Sequence, residues 1–99
     1  MMAPGWTFLT NHGHVLLVVA ADPEARLRDI AARVGITERA AQLIVSDLED
    51  AGYLAKHKVG RRNTYTIVGN QKFRHPAEAH HSVDELLRIF AAAQEPGRV

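Results

Sequence analysis

Ninety-nine residues make one domain with one modest core, burying roughly 60–70% of the unfolded surface. The chain has no cysteine, which removes disulfides and thiolate metal sites and fits a reducing compartment. Twelve Lys and Arg against eleven Asp and Glu leave a net charge of +1, uninformative as a total. The longest apolar run, Val15 to Ala21, is far short of the roughly 20 residues that span a bilayer. Met1 to Asn11 has no basic residue ahead of an apolar stretch, so no signal peptide is read there. The expectation is a cytoplasmic protein with no membrane partner.

Residues 1–10 form an apolar arm. Trp6, Phe8 and Leu9 are a heavy load for a terminus and are expected to dock on the core or on a second subunit. Asn11 suits a cap for a first helix running to about Ala21. Val15, Val18 and Val19 would also suit a strand, but apolar residues on nearly every side fit a central buried helix. Asp22-Pro23 ends it. Leu27, Ile30, Ala31 and Val34 then fall at i, i+3, i+4, i+7, one stripe of a second helix closed by Gly35. Ile36 turns back to the core and Thr37 caps a third helix, Glu38 to about Ala51. Its inward stripe is Ala41, Ile44, Val45 and Leu48, and Gly52 stops it.

Tyr53 to Val59 and Thr64 to Val68 have strand composition, with Gly60-Arg61-Arg62-Asn63 as the tip between them. Residues 70–81 read as a histidine-containing loop. Ser82-Val83-Asp84-Glu85 is a capping box that opens a last helix within 82–94. Val83, Leu86, Leu87, Phe90 and Ile89 give that helix an apolar side, and 95–99 reads as a tail. The fold class expected is α+β, mostly helical: a winged helix-turn-helix over 11–69, made of a three-helix core plus a β-hairpin wing, with an additional C-terminal helix.

Charge is unevenly placed along the chain. No acidic residue occurs between Ala51 and Ala77, a window holding Lys56, Lys58, Arg61, Arg62, Lys72 and Arg74, half of all the basic residues. The preceding segment has Glu38, Asp47, Glu49 and Asp50 against Arg39 alone. A cationic patch where a wing should be is an electrostatic footprint for a polyanion.

The run RLRDIAARVGITERAAQLIVSDLEDAGYLAKHKVGRRNTYTI resembles the winged helix-turn-helix transcriptional regulators of the MarR and ArsR type. DIAARVGIT matches their turn, LEDAGYL the end of their recognition helix, and VGRRNTYTI their wing. The resemblance covers roughly Val15 to Val68, and the whole chain looks like the small single-domain members. It implies transcription regulation through double-stranded DNA, with the third helix in the major groove and the wing on the backbone or minor groove. The positions matching the DNA-facing side are Thr37, Glu38, Arg39, Gln42, Leu43 and Ser46, those left once the inward stripe is assigned. Arg39 suits guanine O6 and N7, and Gln42 suits adenine N6 and N7. Thr37 and Ser46 suit phosphate, and Arg28 reaches a phosphate from the second helix. Lys56, Lys58, Arg61, Arg62 and Asn63 supply the wing contacts. The helix departs from its relatives in carrying little base. Glu38 accepts from cytosine N4 or costs affinity, and Leu43 either touches a thymine methyl or marks a face that has stopped reading DNA.

Such regulators usually act as homodimers, which sets half-sites about 10 base pairs apart. The expected seam draws on Trp6, Phe8, Leu9, Val83, Leu86, Leu87 and Phe90. The rival reading keeps the fold as a protein-interaction or dimerisation module without sequence-specific DNA binding. A small-molecule effector, if there is one, would have to bind at the subunit seam.

His75, Glu78, His80 and His81 invite a metal reading, but their spacing lacks a ligand motif and loop hydrogen bonding is the simpler role. His57 sits in the basic strand. No cofactor is implied. The two serines, Ser46 and Ser82, have simpler roles, and no glycine-rich phosphate loop or paired-carboxylate motif points to an enzyme.

Overall fold

The computed structural model describes residues 5–94, as four helices and one antiparallel hairpin. The element order is α1 (Asn11–Ala21), α2 (Leu27–Val34), α3 (Glu38–Asp50), β1 (Leu54–Val59), β2 (Arg62–Ile67) and α4 (Val83–Gln94). None of these helices is long and apolar enough to cross a membrane.

Thr10, not Asn11, caps α1. Its extended backbone lets Oγ1 accept from the Gly13 N–H at 3.5 Å. Asn11 is already helical, and its Oδ1 lies 3.0 Å from His14 Nδ1. Burial decides α1 against strand propensity: Val15, Leu16 and Val19 all sit inside the core, where a helix satisfies its own backbone. At the start of α2 the Asp29 carboxylate accepts the Arg26 N–H at 3.2 Å, half of a capping box. Gly35 ends α2 at φ +85°, a conformation that is cheap only for glycine. Its N–H and that of Ile36 both reach the Ala31 carbonyl, at 2.8 and 3.0 Å. That double closure sets the turn between α2 and α3. Thr37 then caps α3 through Oγ1, which accepts the Ala40 N–H at 3.0 Å.

The inward stripe of α3 is the expected one: Ala41, Ile44, Val45 and Leu48 are buried. They meet Ile30 and Ala31 of α2 and the α1 stripe in one core that also takes in Tyr53, Leu54, Tyr65 and Val83.

The hairpin tip is tighter than expected. Val59 pairs with Arg62, so only Gly60 and Arg61 form the turn. Gly60 has φ +62° and no other residue there has positive φ, the pattern of a type II′ turn. Arg62 and Asn63 therefore belong to β2 and point to opposite faces.

The stretch expected as a free loop is pinned at both ends. Val83 N–H donates to the Gln71 carbonyl at 3.0 Å, and Phe73 N–H donates to the His81 carbonyl at 3.2 Å. Tyr53 Oη donates to the Lys72 carbonyl at 2.5 Å. Gln71 Nε2 also donates to the carbonyls of Ala51 and Gly52, which closes the end of α3. The segment thus feeds α4 back onto α1. Val83 is fully enclosed and Leu87 packs against the core, while Ile89 is 67% exposed.

Candidate nucleic-acid interface

Burying one stripe of α3 fixes what the opposite side offers. Arg39, Gln42 and Leu43 are exposed on it and Ser46 is half-buried. At 100° per residue, Arg39, Leu43, Ser46 and Asp50 lie along the outward pole, and Gln42 flanks it with Glu38 and Glu49. Gln42 Nε2 donates to Ser46 Oγ at 3.4 Å, one turn on. Leu43 keeps 59% of its surface in water, the one large apolar side chain of α3 to do so.

One acidic residue of α3 has a hydrogen-bond partner on another helix. His12 Nε2 on α1 lies 2.9 Å from Asp47 Oδ2. Glu49 lies on the wing side, close enough to Tyr65 that its charge helps hold the tyrosine proton. Burial is the larger cause, and together they push the Tyr65 hydroxyl above its ordinary range. Glu38 and Asp50 stay exposed.

The two-residue turn divides the basic hairpin residues between two faces. Leu54, Lys56, Lys58, Asn63, Tyr65 and Ile67 share one face, which packs towards the core, and α3 lies against β1. His57, Val59 and Arg62 share the other. Lys56 and Lys58 are exposed on the α3 side. Arg62 reaches back instead, and its Nη2 donates to the Glu24 carbonyl at 3.1 Å. The neighbouring Tyr65 N–H donates to the Pro23 carbonyl at 3.2 Å, so the α1–α2 connection covers the outer edge of β2. Sequence reasoning missed that connection. A strand edge needs a partner for its free N–H groups, and Asp22 to Ala25 was the nearest unassigned segment.

Among the described residues the ion pairs are His12–Asp47, Arg33–Asp22 and His81–Glu85. Arg39, Lys56, Lys58 and Arg61 are in none of them. Arg28 is exposed in the first turn of α2, on the flank away from Arg33. Among the described residues no group of three or more acidic or histidine side chains converges to hold a metal. His75 Nδ1 accepts the Ala77 N–H at 3.0 Å. His81 Nδ1 meets Glu85 Oε2 at 2.6 Å, and that hydrogen bond holds the Glu85 carboxyl below its ordinary range.

A helix, a glycine turn, a capped second helix with an exposed polar face, and a cationic hairpin beside it make up a winged helix-turn-helix fold. Residues 9–55 match the winged helix-turn-helix DNA-binding family. No curated protein matches the chain. The matched span covers α1, α2, α3 and the first residues of β1. The fold is a winged helix-turn-helix with an added C-terminal helix, and the match supports a DNA-binding regulator. Within this winged helix, α2 and α3 form the helix-turn-helix and the β1–β2 hairpin the wing.

The residues expected at a subunit seam fall into two groups. Trp6 and Phe8 stack edge to face on each other, ring centroids 5.1 Å apart, and remain 72% and 94% exposed. They are not docked on their own core. Phe8, Leu9, Phe73, Leu86 and Ile89 line one open groove. Val83 has no exposed surface and Leu87 packs inward, so within this chain both serve the core.

Proposed function

We propose that this winged helix is a homodimeric transcriptional regulator of the MarR and ArsR type, binding duplex DNA and controlling access to promoters. α3 enters the major groove, with Arg39 on guanine and Gln42 on adenine. Thr37, Ser46 and Arg28 contact phosphate, and Lys56, Lys58, Arg61 and Asn63 contact the backbone or adjacent minor groove. One observation carries the reading: Arg39 and Gln42 are exposed on α3 away from its buried stripe, and the hairpin that packs on α3 through β1 exposes Lys56 and Lys58. One polyanion can touch both at once.

The seam draws on Trp6, Phe8, Leu9, Leu86, Phe90 and Ile89. Trp6, Phe8 and Ile89 are exposed and Leu9, Leu86 and Phe90 half-buried, apolar surface that a second copy would cover.

The test is a salt titration of duplex binding by fluorescence anisotropy. Four cationic contacts per chain, eight in the dimer, give a slope of about −7 in log K against log salt, so affinity falls roughly ten-thousandfold between 50 and 200 mM salt. Arg39→Ala or Gln42→Ala erodes preference at single base pairs by ~1–3 kcal/mol and leaves other positions alone. Absence of duplex binding at low salt ends the proposal.

The exposed carboxylates Glu38, Asp47 and Asp50 favour a second reading, a protein-interaction module whose α3 no longer meets DNA. It predicts no duplex affinity and a protein partner retained through α3.

A further inference from the structure

We infer that Leu43 is a specificity-determining residue that reads the C5 methyl group of a thymine in the major groove. The inference rests on the DNA-binding reading and deepens it. α3 buries every other large apolar side chain it carries, Ile44, Val45 and Leu48, to 9% exposure or less. Leu43 alone points the other way and is 59% exposed. It stands at the centre of the outward pole, one turn after Arg39, one turn before Ser46 and two before Asp50.

Its neighbours there are all polar, and none covers it. Gln42 flanks the pole and donates along the helix to Ser46. The only apolar group on the major-groove edge of a base pair is the thymine methyl. A leucine at the middle of a groove-facing helix, with a hydrogen-bonding residue a turn before it, therefore matches one chemical feature of DNA.

The geometry also sets a spacing. Arg39 and Leu43 are four residues apart, about 6 Å along the helix axis. Base pairs stack at about 3.4 Å, so their contacts fall roughly two base-pair steps apart. Each half-site should carry a guanine and a thymine, on either strand, separated by one or two steps.

The test begins with selection of random-sequence duplexes by the full chain. At each thymine of the enriched motif, deoxyuridine replaces thymidine, which removes the methyl and keeps every hydrogen-bonding group. Anisotropy titrations then compare the wild-type chain with Leu43→Ala. Leu43 is exposed, so the variant is expected to fold, and circular dichroism checks this. The expected result is one thymine per half-site at which deoxyuridine weakens wild-type binding about fourfold, the value of one buried methyl (~0.8 kcal/mol). Leu43→Ala binds the thymine and deoxyuridine duplexes equally. Three results overturn the inference while leaving DNA binding intact: an enriched motif without thymine, indifference to deoxyuridine throughout, or an undiminished deoxyuridine effect in Leu43→Ala. Failure to enrich any sequence, with no duplex binding at low salt, overturns the DNA-binding reading itself.

Discussion

Arg62 donates to the backbone carbonyl of Glu24 at 3.1 Å, while its neighbour Arg61 stands free at the hairpin tip. Two adjacent arginines of equal charge therefore have different work. Arg61→Ala should lower affinity for all duplexes alike and reduce the salt slope by about 0.9 per chain, with stability changed by less than about 0.5 kcal/mol. Arg62→Ala should cost up to about 1 kcal/mol of stability, because it unties the wing from the α1–α2 connection. For a domain of this size that lowers Tm by about 4–8 °C. Salt titrations and thermal melts on the same two proteins separate these roles. Equal slope changes with no loss of stability would make Arg62 a phosphate ligand like its neighbour.

Tyr65 reports whether the wing lies against α3. Burial first, and the Glu49 charge second, raise its hydroxyl above the ordinary value of 10.0. The unfolded chain releases that proton near 10 and the folded chain keeps it. Stability from this group is thus complete below about pH 10 and falls as pH rises from there to the folded-state value. Ultraviolet titration of tyrosinate in a Tyr53→Phe background isolates Tyr65. Glu49→Gln should make it ionise earlier, though still late, since burial remains. An unchanged midpoint would mean that Glu49 and Tyr65 are not close in solution.

The turn between α2 and α3 should respond to single atoms. Thr37→Ala removes the oxygen that accepts the Ala40 N–H at 3.0 Å and should cost about 1 kcal/mol. Thr37→Ser keeps that oxygen and should lie close to wild type. Gly35→Ala places a Cβ at φ +85° and should destabilise by about 1–2 kcal/mol, although open space surrounds the site. Denaturant unfolding of the three variants checks the order.

The last helix turns one side to its own core and, in the proposed dimer, the other to a second copy. Val83→Ala should cost about 2 kcal/mol in the folding of each chain, since Val83 is fully enclosed. Ile89→Asp should leave each chain folded and shift sedimentation from dimer to monomer, since Ile89 is 67% exposed. A variant at Ile89 that sediments as wild type would move the seam elsewhere, with Trp6 and Phe8 as the next place to substitute.

Periodicity carried much of this architecture. The i, i+3, i+4, i+7 stripes of α2 and α3 appear as buried faces, and Gly35 and Thr37 close and cap where their chemistry directs. The exposure of Arg39, Gln42 and Leu43 followed by subtraction, because a helix with one buried stripe leaves few positions outward. Local signals misled at two boundaries. Asn11 is a good cap, but Thr10 precedes it and does the work. Gly-Arg-Arg-Asn reads as a four-residue tip, but one positive-φ glycine suffices for a two-residue turn. Both errors are of one residue or two. The second matters, because strand register alternates faces and moved Arg62 away from Lys56 and Lys58.

The sequence by itself determined the helical stripes, the caps and the strand composition, since each depends on residues within a turn or two along the chain. Tertiary structure alone decided that Arg62 ties to Glu24, that His12 meets Asp47, that Gln71 closes α3, and that Val83 lies inside while Ile89 lies outside. Those pairs are separated by 19 to 38 positions or depend on how a whole helix is rotated against another. No local propensity encodes such contacts. They follow from how the completed elements close around one core.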